Sequence, residues 1–89
     1  MRAILTVVGK DRVGIIAAVS TKLAEYNINV LDISQTVIDG FFNMIMITDI
    51  SGTTLPLAEV ATGMDGLGKE MGLSVRIQRE DIFDAMHRI

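Results

Sequence analysis

Apolar residues recur along this chain with two periods, and the switches between them mark out a series of strands and helices. Residues 3–8 (Ala-Ile-Leu-Thr-Val-Val) are a short β-branched run ending at Gly9, the pattern of a buried strand. Beyond Gly14, Ile16, Val19, Leu23 and Tyr26 follow helical spacing, a stripe that stops at Asn27, a residue suited to a left-handed C-terminal cap. Residues 30–38 return to a period of two, with Leu31, Ile33 and Val37 on one face and Asp32, Ser34 and Thr36 on the other. Asp39-Gly40 is a hairpin dipeptide, and residues 41–50 supply the returning strand.

Residues 51–54 carry capping side chains, and Pro56 suits a first helical turn. Leu57, Val60, Met64, Leu67 and Met71 then define a second helical stripe, ended by Gly72. Gly63, Gly66 and Gly68 each weaken that helix by about 1 kcal/mol relative to alanine, which predicts fraying or close packing in its middle and C-terminal turns. Leu73, Val75 and Ile77 alternate with Ser74, Arg76 and Gln78 in a fourth strand. From Glu80 onward, Ile82, Phe83, Met86 and Ile89 line one side of a short terminal helix over residues 80–88.

The order βαββαβ has few solutions that keep crossovers right-handed. The expected one is an α+β, ferredoxin-like sandwich with a four-stranded antiparallel sheet, strands one and three central and both helices on one face. Residues 1–89 are read as one domain, its core over residues 2–80. Ile4 and Val8 oppose Ala3, Leu5 and Val7, while Phe41, Ile45 and Ile47 oppose Phe42, Met44 and Met46, so both faces of the central strands should be buried. The terminal helix, within one chain or across a dimer, is the expected cover for the second face; the plainer alternative is leftover apolar surface.

Composition adds a need for a partner. A chain of 89 residues buries only roughly 60 to 65% of its unfolded surface. With no cysteine and one histidine, neither disulfides nor a Cys/His zinc site stiffens it. Its 49% apolar content therefore points to self-association, as a homodimer or a higher homo-oligomer. The net charge of −3, with Lys and Arg dispersed along the chain, argues against a nucleic-acid partner. The run 3–8 is short for a signal peptide and is followed at once by Lys10, Asp11 and Arg12; nothing approaches a membrane span of about 20 apolar residues. A cytoplasmic protein without a membrane partner is expected.

The informative stretch is Gly9-Lys-Asp-Arg-Val-Gly14, between the first strand and the first helix. Two glycines allow a sharp turn and close approach to a ligand, and the free N–H groups of the helix that follows suit a carboxylate or phosphate. The plainer reading is a tight turn with Asp11 as helix cap. It is not a Walker loop, because Ile15 and Ile16 stand where Lys and Ser or Thr would be needed. Asn29 carries an amide able to grip an amino-acid head group, or is simply a turn residue. Catalysis has little support: His87, the sole histidine, lies near the C-terminus, and Ser20, Ser34, Ser51 and Ser74 lack a nucleophile's context. An acylphosphatase-like hydrolase, the remote alternative, would have only Arg12 to aim at a phosphate. Glu80, Asp81 and Asp84 read as helix-dipole carboxylates rather than a metal site.

Gly9-Lys-Asp-Arg-Val-Gly-Ile-Ile16 followed by Ala24-Glu-Tyr-Asn-Ile-Asn29 resembles the signature of ACT domains, regulatory modules of many amino-acid-metabolic enzymes. The resemblance covers nearly the whole chain. It is nearest to small bacterial and archaeal proteins made of one ACT domain, similar in turn to the regulator of the glycine cleavage system. It implies an amino acid or similar small metabolite bound at a subunit interface, between the first loop and the start of the second strand. On this chain the implied ligand-binding residues are Asp11, Val13, Gly14 and Ile15 on the loop side, and Asn29, Val30 and Leu31 on the strand side. It implies no catalytic residue, metal or cofactor. Asp11 and Asn29 stand where serine-sensing members have polar ligand contacts. Val13 departs from the family's common proline, and Gly9 stands where some members have a contacting side chain, so the ligand's identity stays open. The rival is a ligand-free dimerisation scaffold. In either case the output passes to an unidentified protein partner.

Overall fold

The computed structural model describes residues 1–87, with side chains to residue 85. Along the chain run β1 (Arg2–Lys10), α1 (Ile15–Glu25), β2 (Asn29–Ile38), β3 (Phe41–Asp49), α2 (Leu57–Met71), β4 (Leu73–Arg79) and α3 (Glu80–His87). The strands make one antiparallel sheet in the order β2-β3-β1-β4, the ferredoxin-like arrangement, with β1 and β3 central.

Register decides which residues meet the helices. Ala3, Leu5 and Val7 lie beside Thr48, Met46 and Met44 on β3, and Leu5 and Val7 lie beside Ile77 and Val75 on β4. These side chains pack with Ile15, Val19 and Leu23 of α1 and with Val60 and Met64 of α2. Thr48, fully buried among them, donates from Oγ1 to the Ala3 carbonyl at 2.8 Å, which satisfies its hydroxyl. The buried stripe of α1 thus runs through Ile15 rather than Ile16, because the helix begins at Ile15 and the core positions follow at intervals of four. Ile16 lies on the flank toward β2, 37% exposed.

The predicted turns are present. Asn27 has φ 58, and its side chain donates from Nδ2 to the Gly52 carbonyl at 2.8 Å. Asp39 and Gly40 both have positive φ, 52 and 79, as a type I′ hairpin requires. The second helix is continuous over its 15 residues. Gly68 presses on the Leu73 carbonyl and Val75 of β4, Gly63 lies under the Tyr26 hydroxyl, and Gly66 faces open space. Close packing, not fraying, accounts for two of the three glycines.

Two expectations are corrected. Leu31 does not share a face with Ile33 and Val37: a bulge between Val30 and Asp32 shifts the register, so Val30, Ile33, Gln35 and Val37 follow Thr48, Met46, Met44 and Phe42 onto the helix side. The second sheet face is covered only in part. The terminal helix packs on β1 and β4, Arg2 pairs with Glu80 at 2.8 Å, and Ile4 is buried, but Val8, Phe41 and Ile45 stay about half exposed. Ile82 is exposed and Phe83 half-buried. The side chains of Met86 and His87, and Ile89, lie outside the described residues.

Candidate functional site

The loop between β1 and α1 is pinned on two sides. The Asp11 backbone N–H donates to the Gly40 carbonyl at 2.9 Å, tying the loop to the β2–β3 turn. Arg12 donates from Nη1 to the Met71 carbonyl at 3.2 Å, at the C-terminal end of α2, where a cation also meets the negative end of the helix dipole. The loop ends at Gly14, whose φ of 92 and ψ of 3 suit glycine alone and turn the chain into α1. Gly9 has another role: it pairs with Leu73 on β4, and its lack of a side chain leaves room for the Leu73 side chain.

No side chain caps α1, so Asp11 is not the cap that the plainer reading assigns it. The first-turn N–H groups lack intrahelical acceptors, and the positive end of the dipole is left uncompensated. A crevice of about 440 Å³ opens at this end of the helix. Asp11, Arg12, Gly14, Ile15, Ile16 and Ala17 line it from the loop and first turn, Gln35 and Val37 from β2, and Phe42 from β3. Its charged groups are one carboxylate and one guanidinium. Its apolar wall combines the buried Phe42 and Ile15 with the partly exposed Ile16 and Val37.

Of the residues named from sequence, Asp11, Gly14 and Ile15 meet in this crevice. Val13 stands at the loop tip, 98% exposed, outside the lining. Asn29, Val30 and Leu31 are at the other end of the sheet: Asn29 pairs with Asp49, seven positions along β3 from Phe42, a separation of about 23 Å at strand spacing. Asn29 and Leu31 are exposed and Val30 is half-buried against the core. One chain therefore does not bring the two predicted halves together. Sequence reasoning missed Ile16, Ala17, Gln35, Val37 and Phe42. The signal available was the Asp39-Gly40 turn, which fixes Val37 opposite Phe42 and so sets this end of β2 next to the loop.

Outside the crevice, the acidic residues that open α3 are held in ion pairs. Glu80 pairs with Arg2, and Asp81 with Arg79 at 3.3 Å. Among the described residues no group of three or more His, Cys, Asp or Glu could hold a metal ion. No described helix is long and apolar enough to cross a membrane. Asp49 titrates below its ordinary value because Ser51 hydrogen-bonds its carboxylate, through the hydroxyl and through a backbone N–H at 2.9 Å.

A ferredoxin-like sandwich with a mixed polar and apolar crevice at a helix N-terminus suits a small-ligand-binding module, and the same fold carries other functions. The family model described as "ACT domain" matches residues 2–78, and the chain belongs to that family. It is 56% identical over 89 residues to a UPF0237 protein of Listeria innocua, covering all of both chains. An ACT domain protein from Streptococcus pneumoniae matches its structure with a TM-score of 0.83 and 40% identity over 98% of each chain. A glycine cleavage system repressor shares the fold, with a TM-score of 0.74 and 24% identity over 88% of this chain and 44% of that one.

Proposed function

We propose that this protein is a cytoplasmic, non-enzymatic regulatory module that binds a free amino acid or similar small metabolite and passes the signal on through protein–protein contacts. The observation that carries this reading is the crevice at the uncapped N-terminus of α1, built on a pinned loop and flanked by an acid and a base. The site is completed by a second copy. Strand β2 is an edge strand, exposed along nearly all its length and rich in apolar residues, a surface that proteins rarely leave unpaired. Pairing β2 antiparallel with its copy about a two-fold axis sets the Asn29 end of one strand beside the Ile38 end of the other. Asn29, Val30 and Leu31 of one protomer would then close the crevice lined by Asp11, Gly14 and Ile15 of its partner, with Val13 at the rim.

The test is thermal unfolding against the twenty amino acids and common metabolites, with Asn29→Ala as control. A ligand at about a hundred times its dissociation constant adds about 2.7 kcal/mol, a rise of roughly ten degrees or more for a domain of this size. A rise confined to one or two compounds and reduced in Asn29→Ala is the expected result. A flat panel on a folded dimer favours the second reading, a ligand-free docking scaffold, whose support is the half-exposed Val8, Phe41 and Ile45 on the open sheet face.

A further inference from the structure

The crevice lining separates into two chemistries, and their placement sorts the parts of an amino acid. On the loop side stand Asp11 and the uncapped N–H groups of α1, with Arg12 next to them holding the Met71 carbonyl. Toward β2 and β3 the wall is mainly apolar, Ile16 of α1 facing Val37 and Phe42, with Gln35 beside them. Val37 and Ile16 are 53% and 37% exposed, large apolar groups left in water beside a Phe42 that is 4% exposed. This strip follows from the backbone: the Asp39-Gly40 turn sets Val37 opposite Phe42 and with it Gln35 and Ile33 on the helix side, while α1 makes few contacts with β2. The helix N–H groups suit the carboxylate of a free amino acid, and Asp11 suits its ammonium. A phosphate or a dicarboxylate would meet Asp11 with no surplus cation to offset it.

Resting on the reading above that this loop holds a free amino acid, we propose that the occupant has an aliphatic side chain of the size of valine, leucine or isoleucine. Its carboxylate faces the α1 N-terminus, and its ammonium faces Asp11. Its side chain lies between Ile16 and Val37 over Phe42. Each methylene buried there is worth roughly fourfold in affinity. A serine hydroxyl or a second aspartate carboxylate would lose water against Ile16, Val37 and Phe42, where the Gln35 amide is the one polar side chain on that wall.

Titration calorimetry of the purified protein tests this with glycine, alanine, serine, aspartate, lysine, valine, leucine, isoleucine and inorganic phosphate. The expected result is binding of one or more of valine, leucine and isoleucine at least roughly tenfold tighter than alanine. Val37→Thr, which keeps the β-branched shape at a half-exposed strand position, should weaken it several-fold, as should Ile16→Thr, with unchanged circular dichroism. Preferred binding of serine, aspartate or lysine that Asp11→Asn abolishes would overturn the aliphatic assignment and leave the amino-acid reading standing. Aliphatic binding that neither Val37→Thr nor Ile16→Thr weakens would overturn it too, since the side chain would then lie elsewhere. Binding of no amino acid, or of phosphate alone, would remove both.

Discussion

Three glycines in one helix should respond to the same substitution with different signs. In α2, Gly66→Ala places a methyl group in open space, since nothing lies within 4 Å of the new Cβ. Only the backbone preference changes, and the variant should gain about 1 kcal/mol, a rise of roughly 4–8 °C in Tm. Gly63→Ala drives its Cβ into the Tyr26 hydroxyl, with Cζ 2.9 Å away. Tyr26 is half-buried and can swing out, losing its core contact and the Lys22 ammonium 5.5 Å from its ring centroid. An overpacking cost of about 1–3 kcal/mol against the helix gain of about 1 kcal/mol leaves it neutral to mildly destabilised. Gly68→Ala meets the Leu73 carbonyl at 2.6 Å and Val75 Cγ2 at 3.0 Å, on a strand that cannot swing aside. Its cost should reach the upper end of that range, for a net loss of about 2 kcal/mol. Urea unfolding of the three variants reads the order directly, and Tyr26→Leu should erase the cost of Gly63→Ala but not that of Gly68→Ala. A destabilised Gly66→Ala, or a Gly68→Ala more stable than the parent, would refute the packing account of α2.

Thr48→Val keeps the core volume but removes the bond to the Ala3 carbonyl, and equilibrium unfolding should show a loss of about 1 kcal/mol. Gly14→Ala meets no atom within 4 Å yet must adopt φ 92, so its loss of about 1–2 kcal/mol comes from backbone strain alone and should appear in urea unfolding. Because the carboxyl of Asp49 titrates below its ordinary value when folded, its contribution is complete above about pH 4 and fades as pH falls through the folded value. Asp49→Asn should therefore lower stability at neutral pH, with the difference from the parent shrinking in acid, as an unfolding series from pH 7 to pH 2 would show.

The fold was legible because its signals are local and agree with one another. The Asp39-Gly40 turn, the Gly72 helix stop and the alternation in β4 each follow from a few neighbouring residues. The bulge at Leu31 was not legible, because an extra residue changes pairing without changing which residues look apolar. Nor was Ile15 in place of Ile16 in the core: with both positions isoleucine, helix phase depends on where Gly14 starts the helix. The loop half of the site was readable from Gly14 and Asp11. The strand half within one chain, Gln35 and Val37, was legible in its register from the turn but not as crevice wall, since that depends on how far α1 reaches across the sheet. The Arg12 clamp on Met71 joins residues 59 apart in sequence, beyond any local pattern.

Amide chemical-shift mapping tests the central claim most directly. Isotope-labelled protein would be titrated with the amino acid that gives the largest thermal shift, or with an equimolar amino-acid mixture if none stands out. The account predicts saturable shifts clustered at residues 11–17 and 35–37, accompanied by shifts at Asn29, Val30 and Leu31 contributed by the paired copy. Shifts confined to another surface, such as the groove beside Thr21 and Leu67, or no shifts at millimolar ligand on the folded protein, would contradict it.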